Sequence, residues 1–283
     1  MDNAIPSALR FTHEQRYTRL SPGQVRRIVV LMGSPRKEGT SKTGILTRAV
    51  MDGCREAGAE VETIYLREKK INQCQGCFSC WTKTPGKCIF DDDVPGIMKQ
   101  TDEADLVVFA SPLYHFGIIA LMKKYIERTL PMIQPFLITR EDGKTTHPPR
   151  QGFKNTQNIL IIGVCGFPEV EHFGAFSANF HYIANAGGSY GYNIAAEIYR
   201  PLSEVLNNPF YQAENERVLG LAQKAGHDLV ASGFIESSLI DEIADVRLDI
   251  NETHETANMA WQACIDQGMT MPEFQKKLLE MTE

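Results

Sequence analysis

Residues 27–44 read RIVVLMGSPRKEGTSKTG, and this stretch decides the fold. Arg27 to Met32 is a short apolar run rich in β-branched residues, and it ends at Gly33 in a loop of Ser, Pro, Arg, Lys, Gly and Thr. A strand opening into a phosphate-type loop is the natural reading. Ile45, Leu46, Ala49, Val50, Cys54 and Ala57 then recur at helical spacing up to Gly58, which predicts an amphipathic helix over residues 43–57.

The same alternation continues along the chain. Residues 61–65 form a second predicted strand, 106–110 (LVVFA) a third closed by the loop SPLYHFG, 158–164 a fourth ending in CGFPE, and 192–198 a fifth. Helices are predicted over 118–130, 176–186 and 212–234, and Asp91, Asp92 and Asp93 precede Val94, Ile97 and Met98 as the cap of another. Five strands alternating with five helices imply an α/β, parallel, doubly wound sheet over residues 27–236. Residues 1–26 read as an N-terminal extension. Residues 237–283 read as a C-terminal helical extension, with Thr270 and Glu273 as a capping box. Residues 132–155 lack periodicity, which marks a functional lid, an interface element or a local insertion.

Composition excludes several classes of function. The chain of 283 residues is 43% hydrophobic and 23% charged, as in an ordinary globular protein. A net charge of -6 argues against nucleic acid as the main partner. The longest apolar runs are too short to span a bilayer, so no membrane partner is expected. The first residues carry Arg, His and Glu without an apolar signal core, which places the expected location in the cytoplasm. Seven cysteines, an odd number, then read as reduced thiols or metal ligands rather than a disulfide framework.

In an open parallel sheet, ligands bind beyond the carboxyl ends of the strands. The loop after strand one is neither a Walker A loop nor a G-x-G-x-x-G turn. It offers the hydroxyls of Ser34, Thr40, Ser41 and Thr43, the Arg36 guanidinium and the N–H groups of a helix start, all suited to a phosphate monoester. A solvated polar turn is the plainer alternative. In the loop after strand three, Pro112 fixes the backbone, Tyr114 and Phe116 offer planar surface, and Gly117 admits close approach. After strand four, Gly163 and Gly166 read as exposed backbone, and Cys165 as either a redox thiol or a small buried residue. His115 is placed to hydrogen-bond a ligand or to lie free on the surface, and the histidines show no metal-ligand spacing.

Cys74, Cys77, Cys80 and Cys88 lie within fifteen residues of one another, after strand two. C-x2-C-x2-C followed by a fourth cysteine resembles the run that wraps an iron–sulfur cluster in bacterial ferredoxins. Zinc favours two separated C-x2-C pairs, and a redox dithiol would use only Cys77 and Cys80. A cluster uses all four, with Gly76 and Gly86 at the sharp turns. Trp81 either shields such a cluster or packs against the sheet.

GSPRKEGTS, the SPLYHFG loop running into Lys123 and Arg128, and EIYRP at Glu197–Pro201 together resemble the NAD(P)H-dependent FMN reductases of flavodoxin-like fold, over about residues 27–235. The cysteine run is similar to that of the iron–sulfur flavoproteins. The resemblance implies sheet order 2-1-3-4-5. It implies that Ser34, Arg36, Thr40, Ser41 and Thr43 hold the FMN phosphate, that Pro112, Leu113, Tyr114, His115, Phe116 and Gly117 line the ribityl chain and ring, and that Gly163, Val164, Cys165, Gly166 and Phe167 border its far edge. It further implies an NAD(P)H electron donor, a 4Fe-4S cluster on the four cysteines, and a quinone, flavin, nitroarene or ferredoxin-like acceptor. The implied assembly is a homodimer or homotetramer with the site near a subunit interface. A cluster-bearing electron carrier that turns over no small substrate is the alternative. Glu127 stands where relatives more often carry Asp, and seven residues between Cys80 and Cys88 make a long gap for such a cluster.

Overall fold

The first strand, β1 (Arg27–Met32), sends Ile28, Val30 and Met32 to one side of a sheet and Val29 and Leu31 to the other, and all five are buried in two separate apolar cores. A strand apolar on both faces belongs in the middle of a parallel sheet, where helices cover each side. The computed structural model, which describes residues 17–186 and 191–282, places it there. Residues 1–16 of the expected N-terminal extension lie outside the described residues.

After β1 come α1 (Lys42–Glu56), β2 (Glu60–Tyr65), α2 (Val94–Glu103), β3 (Leu106–Tyr114), the two-residue β4 (Gly117–Ile118) and α3 (Ala120–Glu127). A small hairpin of β5 (Ile138–Thr139) and β6 (Thr145–Thr146) precedes β7 (Thr156–Val164), α4 (Gly174–Ala186) and β8 (Gly191–Arg200). Four helices follow: α5 (Gln212–Ser232), α6 (Ser237–Ala244), α7 (Ile250–Gln267) and α8 (Met271–Thr282). The parallel strands run β2-β1-β3-β7-β8, the 2-1-3-4-5 order expected. β4 adds an antiparallel sixth strand on β3 that the sequence did not announce.

One core lies between the sheet and α1, α5 and α6, and the other beneath α2, α3 and α4. α1 and α5 approach each other through glycine. A Cβ on Gly53 would stand 1.8 Å from the Gln223 carbonyl oxygen, and one on Gly226 would stand 1.8 Å from that of Val50. Backbone therefore packs on backbone where the helices cross.

One local expectation needs correction, and others gain detail. β3 continues through Pro112 to Tyr114 instead of closing into a loop at Ser111. Its pairing with β1 ends at Met32 and Ala110, so a proline two residues further on forfeits no ladder bond on that side. Residues 132–155 carry the β5–β6 hairpin and an isolated bridge between Ile133 and Pro149. Residues 17–26 pack on the domain: Leu20 and Val25 are in the core, and the Thr18 N–H donates to the Ile194 carbonyl at 2.7 Å. The Thr270 N–H and hydroxyl both donate to Glu273 at 2.7 Å, as a capping box requires of its acid.

Candidate functional site

Three loops meet the carboxyl edge of the sheet. In the first, Ser41 is the N-cap of α1, its Oγ accepting from the Gly44 N–H at 3.0 Å. The first-turn N–H groups of Lys42 and Thr43 have no partner within the helix, which is the usual basis of an anion site. Ser34, Ser41 and Thr43 are buried, and the Ser34 Oγ accepts from the Arg36 N–H at 3.3 Å. Thr40 is exposed and spends its hydroxyl on the Lys37 carbonyl, 3.0 Å away. Sequence reasoning passed over Lys42, which is buried with its Nζ donating to the Leu206 carbonyl. Burial lowers its pKa, the nearby Glu204 opposing and Arg36 adding to the effect.

The second loop is the tip of a two-residue hairpin. Tyr114 pairs with Gly117, and the tip residues His115 and Phe116 have φ of 48° and 59°. Two successive left-handed residues make the tight turn that Asn-Gly ordinarily supplies. Non-glycine residues there carry strain of roughly 1–3 kcal/mol each. In return Tyr114, His115 and Phe116 project into solvent, while Pro112 is buried beneath them. A Cβ on Gly117 would meet only the His115 carbonyl oxygen, at an ordinary contact distance of 3.9 Å.

In the third loop, Gly163 is not exposed backbone. It lies buried within β7, where a Cβ would come within 2.9 Å of both Phe173 and Tyr199, so its role is packing. Val164 is buried too, and Cys165 is the small buried residue of the two readings: its Sγ lies 3.3 Å from the Phe167 carbonyl, and burial pushes its thiol up to about 11. Gly166 and Phe167 are the exposed members. The Leu202 N–H donates to the Phe167 carbonyl at 2.7 Å and the Ser203 N–H to that of Cys165 at 2.8 Å, fastening this loop to the end of β8. The Phe116 and Phe167 rings lie nearly parallel, 6° apart in plane with centroids 6.2 Å apart, and His172 touches both.

Cys74, Cys77, Cys80 and Cys88 line one small pocket, with Phe78, Phe90, Glu127, Arg128, Leu130 and Pro131 among its other walls. Gly76 and Gly86 adopt φ of 62° and 81°, the sharp turns expected, and Phe78 adds a third left-handed residue at 52°. Burial raises the Cys80 pKa, and the other three sulfurs add to the rise. Exposed Cys77 is lowered by hydrogen bonds from Ser79. Among the described residues no group of three or more His, Cys, Asp or Glu side chains is arranged to hold a metal ion. The thiols share a pocket without closing on a point.

The cysteine loop is tied to its surroundings by residues far away in sequence. The Trp81 indole donates to the Leu130 carbonyl at 2.9 Å and packs on Phe78 and His147. Arg150 donates to the carbonyls of Pro131 and Ile133, at 3.0 and 3.2 Å. Asp92, read from sequence as a helix cap, does accept from the Val94 N–H at 3.2 Å. It also takes both Nη atoms of Arg128, at 2.7 and 3.1 Å, and the N–H and amide of Asn72, each at 3.0 Å. Burial would raise the Asp92 pKa, but these donors outweigh it and hold the carboxyl at about 2. No local signal foretold the pair, whose members are 36 residues apart.

These features define a doubly wound α/β domain with an anion-type loop, an aromatic slot and a cysteine pocket. Residues 26–137 match the family model of NADPH-dependent FMN reductase. An iron–sulfur flavoprotein of Archaeoglobus fulgidus is 38% identical over 103 residues, 36% of this chain and 45% of the relative. Another from Methanocaldococcus jannaschii is 37% identical over 117 residues, 41% of this chain and 58% of the relative. The chain thus spans about half the length of the curated relatives it matches. In fold it is similar to an FMN-dependent NADH-azoreductase from Bacillus anthracis solved with FMN, with 15% identity, a TM-score of 0.52, and 72% and 99% of the two chains covered. It is likewise similar to an NAD(P)H:quinone oxidoreductase from Methanothermobacter marburgensis, with 17% identity, a TM-score of 0.51, and 72% and 97% covered. The resemblance to FMN reductases and iron–sulfur flavoproteins read from the motifs is therefore borne out. No helix among the described residues is long and apolar enough to cross a membrane.

Proposed function

We propose that this chain is an FMN-dependent oxidoreductase that takes electrons from NADH or NADPH and passes them to a quinone, nitroarene, flavin or ferredoxin-like protein acceptor. The observation that carries this reading is the strained hairpin tip, which holds Phe116 parallel to Phe167 at the carboxyl edge, beside the open helix start of α1. FMN, when bound, supplies the ring that accepts hydride. The residues present fit it. The N–H groups of Lys42 and Thr43, with Ser34 and Arg36, suit the phosphate, and Tyr114, His115, Phe116 and Gly117 offer flat surface and open backbone for the ring. The protein groups bind, orient and exclude water from one face.

The four cysteines fit a 4Fe-4S cluster by their donor set, and Arg128 in the wall of their pocket has a buried N–H without a partner among the described residues. Such a cluster sets its thiolates further apart than a single ion does, which accords with thiols that share a pocket but do not converge. α3 runs from the hairpin toward this pocket, eight residues or roughly 12 Å of helix, so one-electron exchange between the two sites is geometrically reasonable.

The test is to purify the protein anaerobically, incubate it with FMN, and mix it with NADH or NADPH. Bleaching of the flavin absorbance within turnover times is expected. A flavin reduced only by dithionite or ferredoxin would favour the electron carrier, and protein that stays colourless would refute the flavin site. Iron and acid-labile sulfide, near four of each per chain, test the cluster separately.

A further inference from the structure

Arg128 is almost completely removed from solvent, and its partners occupy one end of the guanidinium only. Both Nη atoms serve Asp92, and Nη1 also serves the Asn72 carbonyl at 2.8 Å. The Phe90 ring covers the group, 4.9 Å from Cζ to the centroid. The Nε–H is buried and has no hydrogen-bond partner among the described residues. A buried unpaired donor of this kind is costly, so it is seldom retained without a use. The side chain that carries it forms part of the wall shared by the four cysteines.

We infer that Arg128 is a positioning residue for a sulfur-ligated cluster: its Nε–H donates to sulfur in the cysteine pocket, and its fixed charge raises the cluster's reduction potential. This rests on the cluster reading above. Each electron added to a thiolate-held cluster adds negative charge, and hydrogen bonds to sulfur and nearby cations stabilise that reduced state. Arginine suits the position because it stays charged when buried and can hold a carboxylate with two atoms while offering a third. Asp92 on the far end anchors the fork and moderates the field. The Asp92–Arg128 pair then has a use beyond packing, since it orients a cation in the wall of the cysteine pocket.

The experiment is a redox titration followed by electron paramagnetic resonance on anaerobically purified, FMN-loaded protein. Arg128→Lys keeps the charge but loses the fork, and Lys is drawn to Asp92. Its cluster midpoint should fall by at least a tenfold change in the one-electron equilibrium, which is 59 mV. Asp92→Asn leaves the guanidinium less compensated and should shift the midpoint upward. The flavin midpoint should stay within twofold in both variants, which a general loosening of the domain would not allow. Unchanged cluster midpoints in both variants overturn the role of Arg128 while leaving the cluster intact. If Arg128→Lys does not retain iron, Asp92→Asn decides, and absence of an upward shift overturns the inference. Wild-type protein without iron or labile sulfide overturns the cluster reading and this inference together, and leaves the flavin site standing.

Discussion

The Arg128 guanidinium and the Asp92 carboxylate, each buried, meet in a two-bond fork that joins the end of α3 to the chain entering α2. Breaking such a pair leaves an uncompensated buried charge. Arg128→Ala or Asp92→Ala is therefore expected to cost about 3–5 kcal/mol, and the double variant less than the sum of the two. Urea denaturation of the metal-free protein measures this. Equal, additive losses below 1 kcal/mol would contradict it.

Acid should unfold the protein through its buried carboxylates, Asp92 and Glu197 among them, with Glu214 held low against burial by Arg217 and Arg200. The folded pKa of Asp92, about 2, lies below its ordinary value of 3.8, so its contribution is complete above about pH 4 and is lost as pH falls toward 2. Glu197 is also lowered: burial opposes this, but His181, Tyr199 and Ser177 prevail by hydrogen-bonding the carboxylate. Its stabilisation has the same sign and fades in the same direction. A stability profile against pH should fall on the acid side, and Asp92→Asn with Glu197→Gln should flatten that fall while lowering stability at neutral pH.

The hairpin tip trades stability for placement. Replacing His115 and Phe116 by Asn and Gly supplies the residues that a left-handed two-residue turn prefers, and should raise stability by roughly 1–2 kcal/mol. FMN affinity should drop at least tenfold, because the ring surface of Phe116 is gone. Thermal melts and fluorescence titration with FMN give the two readouts. Unchanged affinity would remove Phe116 from the site.

Gly226 should tolerate no side chain. A methyl there collides with the Val50 carbonyl, so Gly226→Ala must push α5 off α1, at about 1–3 kcal/mol or more. Gly220→Ala on the same helix has open space and should be neutral or slightly stabilising. Denaturation midpoints of the two variants make the comparison.

In metal-free protein the thiols should react in a set order. Cys77, exposed and lowered by Ser79, should be alkylated first at neutral pH, while Cys54 and Cys165, pushed by burial to about 12 and 11, should be spared. Mass spectrometry after brief iodoacetamide treatment reads this directly. Early labelling of Cys165 would return it to candidacy as a redox thiol.

Much of the architecture was legible in local sequence. The both-face apolar run at Ile28–Met32, the helical spacing through Val50 and the turn glycines Gly76 and Gly86 depend on near neighbours, and periodicity reports near neighbours faithfully. The sheet order followed from resemblance to a known family rather than from the pattern itself. Tertiary structure decided what depends on distant partners. Gly163 proved to make room for Phe173 and Tyr199, β3 passed through Pro112 because β1 had already ended, and Asp92 found Arg128 across the fold. The cysteine spacing, in turn, named the chemistry available. Only the folded chain could bring those sulfurs to one pocket and set a buried guanidinium in its wall, because charge and burial at a site are sums over groups that the linear sequence keeps apart.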